Sequence, residues 1–93
     1  MIVEVSAIPL GYRSLSEFVA KILREIESLG IKYQINPMGT VIELESFQKL
    51  AEVLERINKI LEESGSERNY YVVKIDTKKG KMEEKVESVL RKK

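Results

Sequence analysis

Hydrophobic and polar residues follow periods along this chain that predict four strands and three helices. Alternation over 2–9, 31–37, 40–45 and 68–76 predicts strands, because successive side chains of a strand point to opposite faces. Between and after them, apolar residues recur at helical spacing. The three predicted apolar stripes are Leu15, Phe18, Val19, Ile22, Ile26 and Leu29; Phe47, Leu50, Ala51, Leu54, Ile57 and Leu61; and Met82, Val86, Val89 and Leu90. The element order is βαββαβ followed by a short C-terminal helix.

Small polar residues and glycines mark the predicted ends of the two longer helices. Ser14-Leu15-Ser16-Glu17 has the form of a capping box, with Ser14 as the N-cap and Glu17 reaching back to its amide. Ser46 precedes the second helix as its cap, and Gly30 ends the first helix.

The order βαββαβ predicts an α+β ferredoxin-like sandwich. Right-handed crossovers give an antiparallel four-stranded sheet of order 4-1-3-2, with the two longer helices on one face. A chain of 93 residues forms one domain, 1–93, around a single core. The strand residues predicted to face that core include Val3, Val5, Ala7, Ile31, Tyr33, Ile35, Tyr71, Val73 and Ile75.

The opposite face of the predicted sheet has a mixed composition that is typical of a protein–protein or ligand-bearing surface. It carries Ile2, Glu4, Ser6, Ile8, Lys32, Gln34, Asn36, Val41, Glu43, Tyr70, Val72 and Lys74. The apolar members are too extensive for a monomer, so the pattern predicts a dimer through this face and a tetramer as the final state. Val53 and Ile60, beside the stripe of the second helix, indicate a second association surface.

The composition excludes several kinds of chemistry. The chain has no Cys and no His, so thiolate nucleophiles, disulfides and the commonest general base and zinc ligands are absent. No activated nucleophile or tuned acid–base pair is visible, which argues against an enzyme. The formal net charge is +1, and the first and third strands lack the aromatic residues on which RNA-binding sheets stack bases. We therefore expect no nucleic-acid partner and no cofactor.

Two further features bear on where the protein works. No apolar run approaches the roughly 20 residues that cross a bilayer, and Glu4 interrupts the stretch that a signal peptide would need. A soluble cytoplasmic protein with no membrane partner is expected. Enrichment in Glu and Lys with few Asn and Gln is typical of proteins from hot environments, and predicts such a source.

Five polar side chains on or beside the mixed face are candidate ligand-binding residues. They are Ser6, Gln34, Asn36, Thr40 and Glu43. The four neutral groups suit a planar polar ligand that needs several directional hydrogen bonds, although the same groups could simply face water. Glu43 could lie near Glu4 on neighbouring strands, either as a pair that binds a cation or a nitrogen base, or as partners of Lys32 and Lys74 in salt bridges.

The segment 33–43, with the sequence YQINPMGTVIE, resembles the hairpin signature of the small thiamine-binding proteins. Weaker matches at Ser6, at Pro9, at 65–68 and at 83–86 extend the resemblance over nearly the whole chain. Relatives commonly have Gly where this chain has Leu44. The resemblance implies ferredoxin-like subunits that pair sheet to sheet into dimers, often assembled into tetramers, and that bind thiamine or its hydroxymethylpyrimidine portion.

Together these observations predict non-catalytic binding of thiamine or a related hydroxymethylpyrimidine by an oligomeric protein. The neutral candidate residues would make hydrogen bonds to the aminopyrimidine. Glu43 could accept a hydrogen bond from the amino group or balance the positive charge of the thiazolium ring. The alternative is a structural or regulatory homo-oligomer whose open sheet face is used entirely in self-association, with no small-molecule ligand.

Overall fold

The computed structural model describes residues 1–93 and has the predicted order of elements. They are β1 (Ile2–Pro9), α1 (Ser16–Ser28), β2 (Tyr33–Asn36), β3 (Gly39–Glu43), α2 (Phe47–Glu63), β4 (Asn69–Asp76) and α3 (Met82–Lys92). The four strands form one antiparallel sheet of order β2-β3-β1-β4, which is the predicted order read from the other edge. The ferredoxin-like α+β prediction is therefore confirmed. None of the helices has the length and apolar content needed to span a membrane.

The core lies between α1, α2 and one face of the sheet. Burying apolar side chains away from water is the main source of its stability. The buried cluster consists of Val3, Val5, Phe18, Ile22, Ile26, Ile42, Leu44, Leu50, Val53, Ile57 and Leu61. Val3 and Val5 pair with Ile42 and Thr40 across β1 and β3, so these four side chains share the helix-facing side of the sheet. The predicted inner face of β1 is confirmed.

The buried face of α2 is rotated relative to the predicted stripe. Val53 is only 1% exposed, whereas Phe47 is 58% exposed. Leu50, Val53 and Ile57 follow the three- and four-residue spacing that places side chains on one face of a helix. The prediction that Val53 marks a second association surface is therefore wrong, because the side chain fills the core.

The predicted start of α1 is also wrong. The helix begins at Ser16, and its N-cap position is held by Leu15, which makes no side-chain capping bond. The hydroxyl of Ser14 is hydrogen-bonded to that of Ser16 instead. The cap of α2 is as predicted, since the Ser46 hydroxyl accepts a hydrogen bond from the Lys49 amide.

A cluster of polar side chains joins β4 to α2. The Asn58 carbonyl oxygen accepts hydrogen bonds from the Tyr71 hydroxyl at 2.7 Å and from the Asn69 amide at 3.0 Å. The Ser66 hydroxyl donates to the Asn69 carbonyl oxygen at 2.5 Å. Burial raises the pKa of Tyr71, so this hydroxyl stays protonated as a donor at neutral pH. No buried side-chain polar atom of the chain is left without a partner.

The hairpin formed by β2 and β3 occupies one edge of the sheet, and Pro37-Met38 forms its turn. Ile35 pairs with Thr40 and points toward the helices, yet it is 54% exposed. The prediction that Ile35 belongs to the core is wrong. β2 is an edge strand, and a cavity rather than a packed contact separates Ile35 from α1.

The turn of the hairpin is fastened to β1. The Ser6 hydroxyl donates a 2.7 Å hydrogen bond to the Met38 carbonyl. A Cβ atom at position 39 would lie 2.9 Å from the Ser6 Oγ and 3.3 Å from the Val5 carbonyl oxygen. Gly39 therefore permits a close approach of two strands, and any larger residue must displace the Ser6 side chain.

The contrast between Ile42 and Ile35 leads to a first prediction. Ile42 is 1% exposed, so Ile42→Ala should lower the free energy of unfolding by about 2–5 kcal/mol, the cost of lost burial plus a cavity. Ile35→Ala, on the same face of the hairpin, should cost less than about 1.5 kcal/mol because the side chain is already half in water. Urea unfolding of both variants measures the difference; equal losses would contradict the placement of Ile35.

A second prediction concerns Gly39. Gly39→Ala should push the Ser6 side chain off the Met38 carbonyl and lower the free energy of unfolding by about 1 kcal/mol, the net value of one hydrogen bond. In a Ser6→Ala background the contact is absent, so the same change should cost much less. A double-mutant cycle by urea unfolding tests this coupling. Additive losses would show that Gly39 is needed for another reason.

Candidate functional site

The β2–β3 hairpin separates two cavities that lie on opposite faces of the sheet. The helix-side cavity, between the hairpin and α1, has a volume of about 640 Å³. The open-face cavity, between the other side of the sheet and the start of α3, has a volume of about 350 Å³. Both volumes lie in the range of small-molecule sites. Asn36 borders both cavities because it is the last residue of β2 before the turn.

Apolar side chains form most of the wall of the helix-side cavity. From α1 and the segment before it come Leu15, Val19, Ala20, Ile22, Leu23 and Ile26. Ile35, Pro37 and Met38 of the hairpin face them, and Ser6, Ser16, Asn36 and Thr40 supply the polar groups. A slot with apolar walls and a few polar groups suits a flat ring with hydrogen-bonding atoms on its edge.

Thr40 is a polar group of the sheet that lines this cavity. Its pairing with Val5 places the side chain on the helix side of the sheet, where it is 9% exposed. Its hydroxyl takes part in no hydrogen bond of the chain, while every fully buried side-chain polar atom has a partner. The hydroxyl must therefore open to the cavity, where a ligand could use it as donor or acceptor.

Charged and amide side chains surround the open-face cavity. Glu4, Gln34, Asn36, Lys74, Asp76 and Lys85 line it together with apolar residues of β1, β3, β4 and α3. The Lys74 Nζ lies 3.6 Å from a Glu4 carboxylate oxygen, as the salt-bridge alternative predicts. Lys85 pairs with Asp76 and holds the pKa of that carboxyl below its ordinary value. The chain has no cluster of three or more acidic side chains arranged for a metal ion.

Glu43 is engaged by the start of α3. A carboxylate oxygen of Glu43 accepts a 2.6 Å hydrogen bond from the Met82 backbone amide. Beside it, Lys32 pairs with Glu83 rather than with Glu43 or Glu4. The hydrogen bond between Lys32 and Glu83 raises the pKa of Lys32 and lowers that of Glu83, so both groups are charged at neutral pH.

The fold brings the five predicted site residues together at one hairpin, but on two faces. Gln34 and Glu43 point to the open face, and Thr40 points to the helix side. Ser6 and Asn36 belong to the open face by strand alternation and also border the helix-side cavity at the hairpin turn. The α1 residues that wall this cavity were not predicted as site residues, because an apolar helix stripe is the same whether it meets a sheet or a cavity.

A side-chain hydrogen bond holds the hairpin against α1. The Tyr33 hydroxyl donates a 2.5 Å hydrogen bond to a carboxylate oxygen of Glu27, near the C-terminal end of α1. This bond raises the pKa of Tyr33, so the hydroxyl keeps its proton at neutral pH. β2 is thus joined to α1 at one end, while the cavity lies between them at the other.

Comparisons with known proteins identify the family of the chain. A family model described as thiamine-binding protein matches residues 3–90. A UPF0045 protein of Methanothermobacter thermautotrophicus is 35% identical over 91 residues, 92% of each chain. Another UPF0045 protein, from Clostridium perfringens, is 40% identical over 74 residues, 77% of each chain.

Solved structures show the same fold. A candidate thiamine biosynthesis or salvage protein of Thermotoga maritima superposes with a TM-score of 0.80 at 25% identity, covering 95% of this chain and 96% of that one. A hypothetical protein of Methanocaldococcus jannascii gives a TM-score of 0.78 at 29% identity, covering 95% and 93%. With the family model matching nearly the full length, the chain belongs to the thiamine-binding protein family, UPF0045.

Proposed function

We propose that this protein binds thiamine or its hydroxymethylpyrimidine portion in the helix-side cavity, without chemical conversion. The observation that carries the proposal is the open Thr40 hydroxyl in a cavity of about 640 Å³ with apolar walls. The cavity is built on the hairpin that bears the family signature, and family membership makes thiamine the first ligand to test.

The chemistry of the cavity suits the pyrimidine ring. An aminopyrimidine is flat and presents ring nitrogens and an amino group at its edge. Its faces would pack between the α1 side chains and Ile35, while Thr40 and Asn36 would meet its edge. Ser6 donates to Met38 and keeps its lone pairs free to accept. Gln34 and Glu43 would contact a ligand only from the open face.

The same residues favour binding without catalysis. No side chain that lines the helix-side cavity is ionisable at any ordinary pH, so neither a general acid nor a general base faces a ligand there. The cationic thiazolium ring would find no carboxylate inside the cavity. We therefore expect the pyrimidine to lie inside and the thiazolium ring to extend toward water.

Calorimetric titration with thiamine, hydroxymethylpyrimidine and the thiamine phosphates tests the proposal. We expect thiamine and hydroxymethylpyrimidine to bind in the micromolar range. Thr40→Val keeps the shape of the side chain and removes the hydroxyl, so it should weaken binding by about 1–3 kcal/mol with little change in the melting temperature. Asn36→Ala should weaken binding by a similar amount.

Gln48→Ala is the matched control, because Gln48 is an exposed polar residue of α2 that lines neither cavity. Its binding should equal that of the wild type. Absence of binding by every ligand in the series would contradict the proposal and favour the structural or regulatory homo-oligomer.

Self-association through the open sheet face is the second part of the proposal. Tyr70 and Val72 of β4 are exposed there, and Val86, Val89 and Leu90 of α3 expose apolar side chains as well. Exposed apolar side chains that lie together are typical of protein–protein interfaces, whereas single ones are normal on a monomer. A second copy of the chain is the proposed occupant, with a tetramer as the final assembly.

Light scattering at micromolar concentration tests the assembly. The wild type should give two or four times the chain mass of 10.7 kDa. Val72→Lys introduces a charge on the proposed interface and should shift the mass toward that of one chain. Phe47→Lys, at another exposed apolar position, on α2, is the control and should leave the mass unchanged. A wild-type mass near 10.7 kDa would remove this part of the proposal.

A further inference from the structure

We infer that α3 is a clamp on the β2–β3 hairpin, and that Glu43 is a positioning residue that anchors this clamp. The inference concerns the order of the hairpin and does not require that thiamine be the ligand. Although α3 lies outside the βαββαβ unit, the inference gives this helix a role in shaping the two cavities through the hairpin that borders both.

The first turns of α3 contact the ends of two strands and the residue just before a third. The Met82 amide donates to Glu43 at the end of β3, Glu83 pairs with Lys32 just before β2, and Lys85 pairs with Asp76 at the end of β4. The Met82 side chain is buried. Because β1 lies between β3 and β4, these contacts place the first turns of α3 across one end of the sheet.

Two of these contacts are made by residues at the end of the hairpin opposite its turn. The Glu43 amide donates a 3.1 Å hydrogen bond to the Lys32 carbonyl, which closes the hairpin just beyond its last paired residues. The side chains of the same two residues hold α3. At the other end, Ser6 holds the turn through Met38. The hairpin is thus fastened at both ends by side chains that belong to different elements.

The hairpin needs such fastening because β2 is short. It has four residues and a neighbouring strand on one side only. A strand of this length has little stability of its own. Gln34 and Asn36 lie on it and border the cavities, so loosening of β2 would disturb the polar groups of both.

The clamp also supports α3 itself. An isolated helix of 11 residues is marginal in water, and beyond its first turns α3 exposes its apolar side chains. The Glu43 carboxylate satisfies a backbone amide at the N-terminus of α3, where a negative charge also interacts favourably with the helix dipole. Order in α3 and order in the hairpin are therefore coupled through the same side chain.

Hydrogen–deuterium exchange of the full chain tests the coupling. Glu43→Ala should raise exchange about tenfold both in α3, over 82–92, and in the hairpin, over 33–43, while 50–61 of α2 stays protected and serves as an internal reference. Glu43→Gln keeps an acceptor for the Met82 amide and should restore most of the protection. Glu45→Ala, at an exposed glutamate two residues away, is the control and should match the wild type.

Faster exchange in α3 with an unchanged hairpin would overturn the inference, and so would no change in either segment. If Glu43→Ala lowers protection in α2 as well, Lys32→Ala provides the second variant, since it removes only the ion pair to Glu83. It should loosen α3 and the hairpin together by a smaller factor; loosening of α3 alone would again overturn the clamp.

A second readout rests on the proposed function. Glu43→Ala should weaken thiamine binding about three- to tenfold, and Glu43→Gln should recover it. If the wild type binds no thiamine, the proposed function fails while the exchange experiment still decides the clamp. If the wild type binds and Glu43→Ala binds equally well despite a loosened hairpin, the influence of the clamp on the cavity is contradicted.

Discussion

The antiparallel register between β1 and β3 decides which side chains of the hairpin face the helices and which face the start of α3. With Val5 opposite Thr40, the Thr40 hydroxyl faces the helices and opens into the helix-side cavity. The same register brings Gly39 against Ser6 and places Glu43 beside Ile2, under the first turn of α3. A slip of one residue would turn Thr40 to the open face and Glu43 toward the core. The cavity, the fastening of the turn and the anchor of α3 all follow from one pairing.

The parts of this architecture that depend on local pattern could be predicted from the sequence. Alternation in β1 separates Val3 and Val5 from Ile2 and Glu4, and the order of elements leads to the strand order once crossover handedness is applied. The cap at Ser46 has a local hydrogen bond to Lys49 and is equally readable. The hairpin segment 33–43 also carried the resemblance to the family to which the chain belongs.

The parts that depend on distant contacts could not be predicted. Alternation gives the side of the sheet on which Ile35 lies, but not whether a helix packs against it. Here a cavity lies between Ile35 and α1. The hydrogen bond that holds Glu43 to the start of α3 joins residues 39 positions apart, and no local sequence pattern predicts it. Thr40 resembles Ser6 and Asn36 in chemistry, but strand alternation from Gly39 to Glu43 places it on the other face. The α1 residues that line the cavity recur at the same helical spacing as residues packed in a core, so the sequence pattern does not distinguish the two.

In the proposed complex, the ligand enters the helix-side cavity and meets the hairpin from the Thr40 side. Backbone amide chemical shifts of the isotope-labelled protein, followed by NMR during titration with thiamine, distinguish this site from one on the open face. A ligand in that cavity should give saturable shifts concentrated at Asn36, in 38–40 and in 19–23 of α1, on the two walls of the cavity. Shifts concentrated in β4 and the start of α3, with the α1 amides unmoved, would place the ligand on the open face and contradict binding in the helix-side cavity.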